Sequence, residues 1–289
     1  MANLRCVIRY TAYPVVFGTG AGLLLWIAAA GRPLRPLALV VCAIALGAVA
    51  VLERVQPYEK AWLGDHGDTV VDVLHGTVSL ALIFASTEIA TLGRAWLAVS
   101  TAWPAWWPLW ISVLVAGAII DLGLWVMHRA SHRMQFLWRL HALHHSPERL
   151  YWLNGERRHP LSALILAGPG ITVAVLLGAP PDAIGTWMAV VSIHLAFQHA
   201  NLDFSVGPLR GLLCVAEVHR WHHKRDYEEA QVNFGEFWAI WDRLAGTFHC
   251  ERDGVRAGDV GLRHERMPRS YLAQLAWPFR SQVVDRVQV

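Results

Sequence analysis

An all-α fold, an integral membrane helical bundle with a histidine-rich helical cap on its cytosolic side, follows from three features of this 289-residue sequence. Six apolar runs lie at about Tyr13 to Ala30, Leu37 to Leu52, Val70 to Leu92, Leu109 to Met127, Leu161 to Ala179 and Ala183 to Phe197. Most approach the roughly 20 residues needed to cross a bilayer. Hydrophobic residues make up 55% of the chain and charged residues only 16%, which is oilier than an ordinary soluble domain of this length. Three histidine clusters, His128–His132, His141–His145 and His219–His223, hold eight of the fifteen histidines at helical spacing.

The first run is preceded by Arg5 and Arg9 and ends in Ala28-Ala29-Ala30, a pattern that also fits a cleavable signal peptide. Because further spans follow, an uncleaved first helix is the expectation. Arg32 and Arg35 sit in a short Pro-containing link, so the first two runs read as a helical hairpin. The third and fourth runs complete a membrane part over residues 1–127. Residues 128–289 then form the histidine-bearing part, including a second membrane hairpin over 161–199 that turns at Gly178-Ala-Pro-Pro-Asp182.

With a cytosolic N-terminus, four crossings bring the chain back to the cytosol at His128, and the second hairpin returns it there at His199. All three clusters then share one side. The Arg-rich segment from Arg129 to Arg158 falls on that side, as the positive-inside rule prefers, whereas Arg32 and Arg35 fall on the other. From Asn201 onward the chain is more polar and is interrupted at Gly207-Pro208, Gly235 and Gly246, which reads as a cytosolic cap.

A net charge of +3, evenly spread, argues against a nucleic-acid surface. Cys6, Cys42, Cys214 and Cys250 have no close pairing, so neither a disulfide framework nor a zinc knuckle is indicated. Trp103, Trp106, Trp107 and Trp110 bunch at the start of the fourth span, where interfacial anchoring explains them and sugar or sterol stacking is the rival reading. Trp138, Trp152 and Trp221 lie among the histidines and are candidates to line a substrate channel.

On a helix, residues i, i+3 and i+4 share a face, so each cluster can aim two or three imidazoles at one region. Neutral imidazoles suit iron, zinc and copper, and a structural zinc closes with four ligands. Eight clustered histidines exceed one such site; two metals fit the count. The bland alternative, solvated interfacial histidines, does not account for the repeated spacing.

These residues resemble the membrane fatty acid hydroxylase and sterol desaturase superfamily, whose pattern is HxxxH, HxxHH, a lone later histidine and a second HxxHH. The match runs through His128 to His132, His141 to His145, His199 and His219 to His223, followed by Asn233-Phe-Gly and Trp241-Asp-Arg-Leu-Ala-Gly-Thr. It covers roughly Asp121 to Phe248, and the preceding spans and Pro57-Tyr58 are also like those of bacterial members.

The resemblance implies a membrane-bound di-iron oxygenase in a bacterial cell membrane. It would use O2 and electrons from a separate reductase or redox carrier to hydroxylate or desaturate an unactivated C–H bond of a sterol, fatty acyl chain, carotenoid or other lipid. It implies nine ligands: His128, His132, His141, His144, His145, His199, His219, His222 and His223. Asp203 occupies a position where some relatives carry another histidine, and is expected to ligate or to orient a ligand. Asp121, seven residues before His128 on the same helix face, is costly in an apolar span unless partnered; with Asp242 it is expected to accept the second N–H of a ligand imidazole. For Asp242 a helix-end role before Gly246 is equally open. His159 before Pro160 is a ligand or a helix cap. His194 lies about 140° around a helix from His199 and is a packed histidine or a ligand. His66, His75, His249 and His264 have no spacing partner; His75, near Asp72, is the one singled out for testing.

The competing function is a non-redox membrane protein that binds or transports zinc. A transporter carries its ligands near the bilayer midplane. Here they sit at span ends in Arg-rich flanks, which favours the oxygenase. Substrate identity and oligomeric state are not legible.

Overall fold

The computed structural model describes residues 2–251, 254–263 and 265–280; His264 lies outside them. Ten α-helices follow in order among these residues: α1 (Ala2–Ala29), α2 (Leu34–Val55), α3 (Thr69–Trp96), α4 (Leu109–Ser131), α5 (Gln135–His145), α6 (Pro160–Leu177), α7 (Pro181–His199), α8 (Ala216–His222), α9 (Ile240–Ala245) and α10 (Tyr271–Ala276). Extended structure among the described residues is limited to isolated bridges, such as Pro57 with Leu202 and Leu213 with Trp238. The fold is all-α, as the apolar runs predicted.

Five helices, α1 to α4 and α6, are long and apolar enough to cross a membrane. Their outward residues are apolar too: Leu39, Ile44, Ile89 and Leu92 are each more than two-thirds exposed. In water such a surface would be costly, and in lipid it is the natural exterior. The tryptophan bunch before α4 divides its work. Trp106 and Trp110 are exposed, whereas Trp103 is buried and donates from Nε1 to Ser112 Oγ at 3.1 Å.

The sixth run forms α7, which carries Asp182, His194, Gln198 and His199 and is not apolar enough to count as a lipid-facing span. It has no need to be. Running between α1, α2 and α4, it is buried along nearly all of its last ten residues. Its nineteen residues extend about 28 Å at the usual helical rise.

The turn between α6 and α7 falls at Gly178, whose φ of 91° suits glycine. The two helices then part. α6 packs on α3 and α4, while α7 packs on α1, α2, α4 and the short α8. The resulting core joins Leu24, Val49, Ile120, Leu166, Ile171, Ile184, Ile193 and Phe197.

Close approach of α4 and α6 depends on two glycines. A Cβ on Gly170 would stand 2.7 Å from the Ile120 carbonyl oxygen, and one on Gly123 would stand 2.6 Å from the Gly170 Cα. Small residues at such crossings let helix backbones touch where no hydrophobic effect between helices is available. Gly170→Leu is therefore expected to lower the melting temperature in detergent by roughly 5 °C or more through overpacking. Bound metal should fall with it, because α4 carries His128. Gly168→Ala, with nothing within 4 Å of its added Cβ, should match the parent in both measurements.

Candidate metal centre

The nine histidines expected as ligands come together at one end of the bundle and sort into two adjacent groups. One contains His128, His132, His141, His145 and His222, and the other His144, His199, His219 and His223; all nine are buried. Helix geometry explains the sorting. Successive residues turn by about 100°, so i and i+4 nearly align while i+3 and i+4 diverge. On α5, His141 and His145 accordingly enter the first group and His144 the second. On α8 and its C-cap the pattern inverts, with His219 and His223 in the second group and His222 in the first. Each HxxHH cluster thus serves both groups, and the stacked rings of His145 and His223, with centroids 4.6 Å apart, form the wall between them.

Within a group it is Nε2 that converges. His145 Nε2 lies 3.1 Å from His132 Nε2 and 3.2 Å from His141 Nε2. His199 Nε2 lies 3.4 Å from His144 Nε2 and 3.2 Å from His223 Nε2, which is 3.1 Å from His219 Nε2. Nitrogens bound at 2.0–2.1 Å to one ion stand about 2.9 Å apart at octahedral and about 3.4 Å apart at tetrahedral corners. The observed separations fall within that range. His128 Nε2 and His222 Nε2 are buried without a hydrogen-bond partner, an expensive arrangement unless a cation is held there. Burial pushes the pKa values of His132, His141, His144, His145, His219, His222 and His223 well below the ordinary histidine value, and neighbouring imidazoles reinforce it. Neutral imidazole is the ligating form.

Three of the outward nitrogens are held by backbone. His128 Nδ1 donates to the Phe234 carbonyl at 2.8 Å, His222 Nδ1 to the Val232 carbonyl at 2.8 Å and His199 Nδ1 to the Leu195 carbonyl at 3.1 Å. Two of these acceptors flank Asn233, whose φ of 54° is left-handed. Asparagine tolerates that conformation better than most residues. Its amide is anchored on both sides, donating to the Val218 and His249 carbonyls and accepting from the His249 N–H. The Asn-Phe-Gly motif is thus the loop that orients His128 and His222.

Asp242 and Asp121 brace this loop rather than touching a histidine. Asp242 accepts from the Phe234 and Gly235 N–H groups, from Trp125 Nε1 and from Thr247 Oγ1. Asp121, fully buried, accepts from the Phe237 and Trp238 N–H groups and from Trp241 Nε1. The expected direct partnering of an imidazole is not what they do; the carbonyls of the loop they brace take that place. Asp203 lies outside both groups, partly exposed and paired with Arg9 at 3.2 Å. His159 caps α6 by accepting from the Leu161 N–H and donates from Nε2 to the Leu275 carbonyl. His194 is packed against Tyr13, whose hydroxyl is 2.8 Å from Nδ1, and its Nε2 donates to the Cys214 carbonyl. His75 faces the Arg158 carbonyl and Gln274 Oε1.

Several buried polar residues near the centre carried no spacing signal. Arg158 pairs with Glu236 at 2.9 Å. Gln198, one residue before His199, donates to the Cys214, Gly235 and Glu236 carbonyls. Glu53 of α2 accepts from the Trp152 and Asn201 N–H groups, tying that span to the segment after His199. Tyr58 supports α8 by stacking under the Arg220 guanidinium, 3.7 Å away. A cleft of about 530 Å³, lined by Trp138, Tyr227, Gln231, Trp277, Lys224 and Arg225, reaches His145 from the cap.

A membrane bundle with two adjacent all-imidazole groups at one end defines a class, the histidine-rich membrane metalloenzymes. The chain belongs to the fatty acid hydroxylase family: the model of that family matches residues 113–247, which contain every histidine of both groups. It is similar to an ornithine lipid hydroxylase of Rhizobium tropici, with 35% identity over 241 residues that cover 80% of this chain and 72% of that one. It is also similar to alkylglycerol monooxygenases of Danio rerio, 31% identical over 54% of the chain, and Homo sapiens, 25% identical over 66%. This chain spans only 34% and 43% of those two proteins. No solved structure matches. The protein is an oxidoreductase of the lipid-hydroxylase type.

Removing Asp242 frees the Phe234 peptide that positions His128. Asp242→Ala should weaken metal retention by about 10- to 100-fold, the usual consequence of losing an outer support of a metal ligand, measured by chelator competition. Asp203→Ala, which removes only an exposed pair worth about 1 kcal/mol at most, should retain metal like the parent. Equal retention in both variants would contradict the bracing role.

Proposed function

We propose that the two histidine groups each hold one iron ion, and that the protein uses O2 and reducing equivalents to hydroxylate a C–H bond of a membrane lipid. The observation that carries this reading is the convergence of nine buried, unprotonated imidazoles on two adjacent points. Iron supplies the redox chemistry that activates O2, which zinc lacks. The chain's own contribution is to hold five and four nitrogens in place, to keep them unprotonated by burial, and to lock His128, His199 and His222 through donation to fixed carbonyls. The second hydrogen bond of each of these imidazoles fixes its tautomer, leaving Nε2 as the ligating atom.

Hydroxylation is preferred to desaturation because the similar proteins are named hydroxylases and monooxygenases. The ornithine lipid hydroxylase, matched over most of its length, makes an acylated membrane lipid of that kind the first substrate to try. Span alternation and the Arg-rich 129–158 segment support a cytosolic site in a bacterial cell membrane, with electrons delivered by a separate reductase or carrier. Zinc transport is not favoured, since both groups lie at span ends rather than at the midplane.

Lipid extracts from cells expressing the protein should contain a species heavier by one oxygen than in control cells. His144→Ala and His222→Ala, one from each group, should abolish that species and reduce bound iron from about two per chain, the number that two closed groups accommodate. Protein purified anaerobically with zinc alone, and with no O2- and reductant-dependent turnover after iron loading, would refute the proposal.

A further inference from the structure

A second void, of about 240 Å³, lies on the membrane side of the centre, between α2, α3 and α7. Its walls are Leu46 of α2, Val73, Gly76, Thr77 and Leu80 of α3, and Ser192, Leu195 and Ala196 of α7, and the turn at Trp152–Glu156 closes one end. α2 packs on α1 and α7 whereas α3 packs on α6, which leaves a gap between two spans. Val73, Thr77 and Leu80 are exposed along it. Because both flanking helices belong to the membrane part, the gap opens sideways toward lipid rather than into water.

The inner end of the crevice is separated from the back of His199 only by Gly155. A Cβ on Gly155 would lie 3.0 Å from His199 Nδ1 and 3.1 Å from the Leu195 carbonyl oxygen that this nitrogen donates to. Glycine therefore lets the crevice approach the back of a metal-facing imidazole. Beside it stands Glu156, the one ionisable residue among the lining groups. Its carboxyl has neither a hydrogen bond nor an ion pair among the described residues. Burial raises its pKa above the ordinary carboxylate range, Glu236 adding to the effect and Arg158 opposing it. A carboxyl group in apolar surroundings is costly until it exchanges a hydrogen bond. The crevice itself provides no partner for it.

We infer that the hydrocarbon chain of the lipid substrate enters this crevice from the bilayer between α2 and α3, and that Glu156 hydrogen-bonds an oxygen of the lipid beside His199. The occupant is identified by chemistry: apolar walls continuous with the membrane interior take an alkyl chain, and the single polar group at the inner end takes an ester, ether, amide or hydroxyl oxygen. Glu156 is then a residue that contacts substrate and sets how far the chain advances. This inference rests on the lipid-hydroxylase reading.

The test uses the full chain in liposomes with an acyl lipid carrying a photoreactive diazirine in its chain. Crosslinks should map to Leu46, Leu80 and Trp152. Thr77→Phe, a substitution at an exposed position, should cut their yield and raise the KM for lipid about tenfold, the size of effect expected on losing about 1.4 kcal/mol of chain binding. Its kcat and metal content should be nearly unchanged. Glu156→Leu should raise KM similarly, and Glu156→Gln, which retains hydrogen bonding, should restore it. Turnover with crosslinks confined to Trp138 and Tyr227 of the other cleft, or an unchanged KM in Thr77→Phe, would overturn the crevice while leaving the oxygenase intact. Crevice crosslinks from iron-loaded protein that oxidises no lipid would instead overturn the oxygenase reading while still supporting chain insertion between α2 and α3.

Discussion

Nine imidazole nitrogens have to be kept unprotonated, desolvated and pointed at one another, and much of the architecture at this end of the molecule answers that constraint. Without a cation, converging lone pairs at 3.1–3.4 Å repel, and buried acceptors lack their usual hydrogen bonds. The fold resists dispersal by fixing both ends of three of the rings. Helix backbones set the Cα positions, and the outward Nδ1 atoms of His128, His199 and His222 are tied to carbonyls that belong to rigid structure.

Those carbonyls have to be held in turn, and here the buried aspartates act. A loop of irregular backbone passes beneath α4 at residues 232–239, where peptide groups removed from water need partners. Asp242 and Asp121 each accept at least two of its N–H groups, while Gln198 donates to two of its carbonyls. The carboxylates thus reach the metal-binding rings through a peptide rather than directly. That arrangement gives each buried carboxyl group several hydrogen-bond donors, the condition under which burying it is tolerable.

The two approaches to the centre differ in chemistry. From the cap, the larger cleft reaches His145 past aromatic and charged side chains. From the bilayer, an apolar crevice stops at Gly155 and Glu156 behind His199. An enzyme acting on lipid has to admit an apolar chain and polar reactants to one place, and separate openings keep the two phases apart.

Local sequence was enough for the helical class, the six apolar runs and the eight clustered histidines, because periodicity and residue type survive without any knowledge of packing, whereas His199 entered through the family resemblance. It also marked Asn233-Phe-Gly without revealing that a left-handed Asn233 aims two carbonyls at the site. Helical spacing pairs His141 with His145 and His219 with His223, but only the packing of α5 against α8 joined the first pair to His222 and the second to His144. Tertiary structure placed α7 inside the bundle, buried by its neighbours, although its sequence reads as one more apolar run. It also took Asp203, His159 and His194 away from the centre, each toward a partner such as Arg9, Leu275 or Tyr13 that is distant in sequence. Long-range pairings of this kind depend on which surfaces meet, and nothing in local spacing encodes that.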